Sequence, residues 1–162
     1  MRKLSAVQNA RAIMMEGMDW SAWKWLFERR RVRDIADRAT AALEAAAKKA
    51  KAQWPSELKM AYSQLIASDQ SSKANSGTNH GHDGTDGISD EIRLLVKQVK
   101  QAEDKAERCR LAAEDMFEEA EQRFSAEMAR EGARKALETY DLREAAIRKA
   151  ETAIGKAQSA TP

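Results

Sequence analysis

Apolar side chains recur three and four residues apart along most of this chain, and that spacing predicts α-helices. The longest such stretch runs from Ser89 to Ala157, with no proline and only two glycines. Its first part has the heptad spacing of a coiled-coil seam. The positions are Ile92, Leu95, Val99, Ala102, Ala106, Cys109, Ala113, Met116 and Ala120. A second run continues in a shifted register: Ala126, Ala129, Ala133, Ala136, Tyr140, Arg143, Ile147, Ala150, Ile154 and Ala157.

This pattern predicts one long, coiled-coil-like helix over residues 89–158, on the order of 100 Å in length. Because the two runs are out of phase, the seam must rotate, or the helix must bend, between Ala120 and Ala126. A helix of that length needs a partner along most of its side, so its apolar face is predicted to mediate interaction. The residues expected to do so are Ile92, Leu95, Val99, Met116, Phe117, Phe124, Tyr140, Ile147 and Ile154.

The N-terminal region, residues 1–67, carries shorter helical patterns that predict helices over about 4–16, 20–54 and 56–67. Gly17 is typical of a helix end, and Asp19 or Ser21 can cap the next helix by accepting hydrogen bonds from its free N–H groups. Pro55 ends the second helix because it has no amide hydrogen to donate.

Residues 68–88 contain almost no apolar side chain, so they predict a flexible linker that lets the N-terminal helices fold back on the long helix. The expected fold class is therefore all-α, with two or three N-terminal helices packed on a long C-terminal helix. Those N-terminal helices are too short to cover all of it. Part of the seam, within Ala126 to Ala157, is expected to remain bare for self-association or for another helical protein.

Charge and cysteine content narrow the picture further. Residues 1–66 hold 13 Lys and Arg against 7 Asp and Glu, whereas residues 89–162 hold 14 against 16, so the two halves are complementary. The single cysteine, Cys109, lies on the seam and is interpreted as a small buried hydrophobe. No signal-peptide pattern and no transmembrane-length apolar stretch is recognised, and the expected location is the cytoplasm, with a position peripheral to a membrane as the alternative.

The densest local signal combines aromatic and basic residues near the N-terminus. Its members are Trp20, Trp23, Trp25, Phe27, Arg29, Arg30, Arg31 and Arg33. Helical spacing places Trp20, Trp23 and Phe27 on one face, with Trp25 pointing away from it. Three interpretations stay open: aromatics that anchor a helical bundle, a surface that binds anionic membranes, or a nucleic-acid site in which arginines contact phosphates. The acidic stretch 114–121 is the natural partner for these arginines.

Motifs for catalysis or cofactor binding are not recognised. No phosphate-binding glycine loop, nucleophile elbow or Cys-x-x-Cys occurs. His80, His82, Asp83 and Asp86 supply metal-ligand types, but they lie in the predicted linker, which gives them no rigid support, so no metal site is expected. The sequence therefore favours a non-enzymatic scaffold or adaptor without a cofactor or small-molecule substrate. Its expected partner is a second copy or another helical protein, with an anionic membrane surface and then nucleic acid as alternatives.

Overall fold

The computed structural model describes residues 5–74 and 88–160, and these residues form five helices. They are α1 (Ala6–Gly17), α2 (Ala22–Ala52), α3 (Ser56–Ala74), α4 (Asp90–Arg123) and α5 (Ala126–Ala160). The all-α fold class is thus confirmed. Helix α3 continues to Ala74, seven residues past its predicted end at 67, and the rest of the predicted linker, residues 75–87, lies outside the described residues.

Serine side chains cap the N-termini of four of the helices. Ser5, Ser21, Ser89 and Ser125 each accept a hydrogen bond from the backbone N–H three residues further on. This bond satisfies one of the N–H groups that a helix leaves unpaired in its first turn. Of the two caps predicted for the second helix, Asp19 or Ser21, the structure has Ser21, whereas the cap at Ser125 marks a helix start that the sequence did not predict.

That start reflects a break in the predicted long helix, which the structure divides into α4 and α5. Phe124 adopts a left-handed conformation, with φ 53° and ψ 48°, and its N–H donates to the carbonyl of Ala120. A left-handed residue at this place reverses the chain direction after a helix. The prediction of one continuous helix over 89–158 was therefore wrong, although the predicted discontinuity between Ala120 and Ala126 contains the break.

After the break, α5 folds back along α4 as an antiparallel hairpin. Glu107 in the middle of α4 accepts a hydrogen bond from Arg143 of α5, while Phe117, farther along α4, packs against Gly132 near the start of α5. The two out-of-phase seams are consequently the two facing surfaces of one hairpin. Each apolar run finds its partner in the other, within the same chain.

Helix α2 lies against this hairpin, antiparallel to α4 and hence parallel to α5. In its first half Arg33 binds Glu121 of α4 at 3.0 Å, and near its end Lys51 binds Glu103 at 2.8 Å. Helix α1 packs on α2 and α5, and α3 packs on α4. We call the end of the bundle that contains the α4–α5 turn and the start of α2 the closed end.

Two apolar clusters fill the bundle. The cluster at the closed end joins α1, α2, α4 and α5 around Trp20, Trp25 and Phe117, and the other cluster surrounds Trp54 and Leu58. Ile147 is half-buried and packs against both. Alanines provide much of the rest, which allows the helices to approach closely.

Burial of the seam corrects a second expectation. In the stretch 126–157, part of which was predicted to stay bare, the seam residues Ala129, Ala133, Ala136, Tyr140 and Ala150 are all buried within the chain. The reason is that the hairpin supplies the partner surface that a single long helix would have lacked. Among the described residues, no helix is long and apolar enough to cross a membrane.

Candidate functional site

Three large aromatic side chains are exposed together at the closed end. Trp23 is 64% exposed, Phe27 is 82% exposed and Phe124 is 43% exposed. We call these three residues the aromatic tip. Exposed aromatics that lie side by side are typical of interaction surfaces, because their apolar area gains free energy when a partner removes it from water.

Local structure fixes the geometry of the aromatic tip. Ser21 caps α2, so Trp23 falls in its first turn, and Phe27 lies one turn further on the same face. Phe124 reaches the same place from the α4–α5 turn, and its ring meets that of Trp23 edge to face at 5.0 Å between centroids. The surface therefore combines residues that lie about 100 positions apart in sequence.

A stack of buried aromatic rings lies next to the aromatic tip, inside the bundle. The ring of Trp25 stacks on Phe117 at 4.9 Å with an interplanar angle of 15°, and it lies 5.3 Å from the ring of Trp20. Trp20 and Trp25 are each only 1% exposed. This stack packs the start of α2 against the hairpin, while Phe124 contacts Trp23 from the α4–α5 turn.

The prediction that Trp20, Trp23 and Phe27 share one helix face is therefore wrong. Trp20 lies in the turn before α2, outside the helix, so helical spacing does not apply to it. Gly17 allows it to fold inward, because a Cβ at that position would come within 2.8 Å of the Trp20 ring. Trp25, which was predicted to point away, is instead the central ring of the buried stack.

The arginines divide into bound and unbound groups. Arg29 and Arg33 both bind Glu121, at 3.2 Å and 3.0 Å, and thereby tie α2 to α4. Arg31 binds Glu28 one turn away. Arg30 is exposed, and within the described part of the chain it forms no ion pair with an acidic side chain. The cluster thus contributes to helix packing as well as to the surface.

The acidic stretch was predicted to be the partner of these arginines, and Glu121 fulfils that role. Its other members, Glu114, Asp115, Glu118 and Glu119, are exposed on α4. Residues 22–33 and 114–127 together carry six basic and seven acidic side chains, so the closed end has almost no net charge. Beside Trp23, Lys24 binds Glu16 at 2.8 Å, and this hydrogen bond raises the pKa of Lys24 and lowers that of Glu16.

The other predicted interaction residues lie inside the bundle. Ile92, Val99, Phe117 and Tyr140 are buried by contacts within the chain, and Leu95, Met116, Ile147 and Ile154 are half-buried. Of the nine predicted residues, Phe124 alone is exposed. Sequence reasoning assigned Phe124 to the helix seam and missed its contact with Trp23, since nothing in the helical spacing indicates a reversal of the chain there.

The residues that could supply metal ligands lie outside the part of the chain that the structure describes. His80, His82, Asp83 and Asp86 all lie outside it, and residues 5–74 and 88–160 contain no group of three His, Cys, Asp or Glu side chains placed to hold a metal. Comparison with protein-family models, curated proteins and solved structures finds no match to this chain.

Proposed function

We propose that this chain is a non-enzymatic helical adaptor that binds another protein through the aromatic tip. The observation that carries the proposal is the exposure of Trp23, Phe27 and Phe124 at the same end of the bundle, next to a buried aromatic stack. Tryptophan and arginine are the residues most enriched at protein interaction hot spots, and both occur here. The partner is expected to present an apolar groove or an amphipathic helix.

The backbone at Phe124 gives independent support. Left-handed residues after a helix are usually Gly or Asn, because a Cβ in that conformation costs about 1 kcal/mol or more. Phe124 adopts it at φ 53°, and it is the one non-glycine residue with a positive φ among those described. Strained backbone persists where the surrounding structure enforces it, and such places cluster at functional sites. Here the strained residue places a ring against Trp23 on the surface.

Charge favours a protein over the alternative partners. An anionic membrane or a nucleic acid would require an excess of basic side chains around the aromatics. Glu118, Glu119 and Glu127 flank the α4–α5 turn and offset the arginines, leaving the closed end nearly neutral. A mixed polar rim around an apolar centre is instead the usual composition of a protein interface.

The test is recovery of partners by the purified, tagged chain from extracts of its source cells, with matched variants. Phe27→Ser removes the most exposed ring of the tip, and Met60→Ser removes a 48% exposed side chain on α3 as the control. Both positions are on the surface, so both variants should give the wild-type circular dichroism spectrum. A true partner is retained by the wild type and by Met60→Ser and is lost with Phe27→Ser.

Binding of the recovered partner is then measured with purified components by calorimetry. We expect Phe27→Ser and Trp23→Ala each to weaken binding about tenfold or more, as for other interface hot spots. The proposal fails if every recovered protein binds the wild type and Phe27→Ser equally. If the chain floats with anionic vesicles and Phe27→Ser does not, the aromatic tip binds membranes instead of a protein.

A further inference from the structure

A cavity of about 100 Å³ lies where α2, α4 and α5 meet, beside the buried aromatic stack. Ala36, Ala113, Phe117 and Ala136 form the apolar part of its wall. The small size of three of these side chains creates the space, since alanines on three neighbouring helices leave the gap between the helix axes unfilled. The cavity is separate from the aromatic tip, so binding of a small molecule in it is independent of the adaptor function.

Two buried polar atoms belong to side chains that line this cavity. The hydroxyl of Tyr140 and the Nε of Arg33 are inaccessible, and neither has a hydrogen-bond partner among the described residues. Tyr140 as a whole is only 2% exposed. A buried donor without a partner destabilises the folded chain, because it has lost its hydrogen bond to water. Both groups can donate, so the wall is chemically suited to an occupant that carries an acceptor oxygen.

The charged side chains of the wall balance one another. Arg110 binds Glu107 and Glu114, and Arg33 binds Glu121, so both guanidinium charges are already compensated. Asp37 is the remaining charged side chain of the wall, and its charge acts on the Tyr140 hydroxyl. A wall without excess charge favours a neutral occupant, because an ion would be desolvated without a compensating partner.

We propose that this cavity binds a small neutral molecule in which a hydroxyl group is attached to a compact apolar body, as in a phenol or a cyclic alcohol. The apolar body packs against Phe117 and the alanines. The hydroxyl oxygen accepts hydrogen bonds from Tyr140 and Arg33, and its proton is donated to Asp37. A benzene ring fits an enclosed cavity of about 150 Å³. This cavity is smaller but is partly open to solvent, which sets the limit at about eight non-hydrogen atoms.

The test uses two fluorinated probes that differ in one hydroxyl group, 4-fluorophenol and fluorobenzene, with ¹⁹F NMR titration of the purified chain. Tyr140→Phe removes the buried hydroxyl and keeps the ring, and Tyr62→Phe makes the same change at a tyrosine that does not line the cavity. We expect 4-fluorophenol to bind the wild type and Tyr62→Phe with the same affinity. Its binding to Tyr140→Phe should be about fivefold weaker, and fluorobenzene should bind all three chains equally weakly.

Amide chemical shifts locate the bound probe, and those of Ala113, Ala136 and Thr139 should move with saturation. Three results would overturn the proposal. They are the absence of saturable binding up to millimolar 4-fluorophenol, equal binding of both probes by every variant, and a crystal structure grown with the probe in which the cavity holds ordered water only. The circular dichroism of each variant is compared with the wild type to exclude unfolding as the cause.

Discussion

Two glycines of α5 occupy very different surroundings and offer a matched test of packing at the residue scale. A Cβ at Gly132 would lie 2.7 Å from a ring carbon of Phe117, whereas a Cβ at Gly155 would meet nothing within 4 Å. Alanine favours a helix over glycine by about 1 kcal/mol at both positions. At Gly132 the clash outweighs that gain, because Phe117 is also held against Trp25 and cannot move freely.

We therefore predict opposite effects on the free energy of unfolding. Gly132→Ala should lower it by about 1–3 kcal/mol, the usual range for overpacking a core. Gly155→Ala should raise it by up to about 1 kcal/mol, less if the end of α5 frays. Urea denaturation followed by circular dichroism measures both. Equal effects of the two substitutions would contradict the close contact between Gly132 and Phe117.

Because Tyr140 is buried, we predict that the chain loses stability in alkaline solution. Burial raises the pKa of its hydroxyl to about 12, from the usual value of about 10 in the unfolded chain. The folded state therefore keeps the proton at a pH where the unfolded state has lost it. The stabilising contribution is complete below pH 10 and is lost as the pH rises from about 10 to about 12, at about 1.4 kcal/mol per pH unit.

Tyr140→Phe removes this dependence. Its free energy of unfolding should fall less steeply between pH 10 and pH 11.5 than that of the wild type, as measured by urea denaturation at several pH values. At pH 7 the variant should match the wild type or exceed it slightly, since the hydroxyl has no hydrogen-bond partner among the described residues. Identical slopes for the two proteins would show that another group causes the alkaline loss.

At the scale of the helices, the turn between α4 and α5 combines strain with exposure. Phe124→Gly should raise the free energy of unfolding by up to about 1 kcal/mol, because glycine adopts the left-handed conformation without steric cost. The same substitution removes the ring that packs against Trp23. We therefore predict a more stable chain that binds its partner less tightly, with stability measured by thermal denaturation and binding by calorimetry.

Phe124→Asn is the control, since asparagine also tolerates the left-handed conformation and also lacks the aromatic ring. It should match Phe124→Gly in binding. If the two variants bind as tightly as the wild type, Phe124 has a purely structural role and the aromatic tip is reduced to Trp23 and Phe27.

How far these helices follow from the sequence can be judged at particular residues. The heptad positions Ile92, Val99, Ala106, Ala113 and Ala120 are all buried, as the spacing predicts. The reversal at Phe124 could not be predicted, because the residues around it are ordinary helix formers and neither Gly nor Pro marks the turn. The phase shift between the two seams was the available signal. It indicates where the long helix is interrupted, but it does not show that the chain reverses direction there.

The aromatic segment illustrates a different limit. Helical spacing is informative inside a helix, so it failed for Trp20, which lies just before α2. Helical spacing also could not show which of Trp23 and Trp25 is buried, because Trp25 is buried by its contact with Phe117, which is distant in sequence. The aromatic tip forms because the start of α2 contacts the α4–α5 turn. That contact joins distant parts of the sequence, so it could be found only from the three-dimensional structure.

For the whole molecule, the complementary charges of the two halves act within the chain. Arg29 and Arg33 bind Glu121, and Lys51 binds Glu103, so basic residues of α2 meet acidic residues of α4 at both ends of their contact. These groups are partly exposed, and each such pair contributes little to stability. Their main effect is to fix the orientation of α2 on the hairpin, which in turn positions Trp23 and Phe27 at the closed end.

Internal burial of the seam also changes the expected outcome of substituting Ile147. A long bare helix would associate through this residue, and Ile147→Asp would then dissociate an oligomer. In the folded bundle Ile147 packs against both apolar clusters, so a carboxylate there should lower the free energy of unfolding by about 2–4 kcal/mol through lost packing and charge burial. Thermal denaturation measures this loss. Leu94→Asp, at a side chain that is 55% exposed, should have little effect.

Sedimentation equilibrium over a wide concentration range separates the two cases. We expect Ile147→Asp to have the same mass as the wild type under conditions where both remain folded, because the residue is covered within one chain. A wild-type oligomer that Ile147→Asp dissociates without loss of helicity would show that the seam opens to a second copy. An oligomer dissociated by Phe27→Asp and unaffected by Ile147→Asp would instead make a second copy the partner of the aromatic tip.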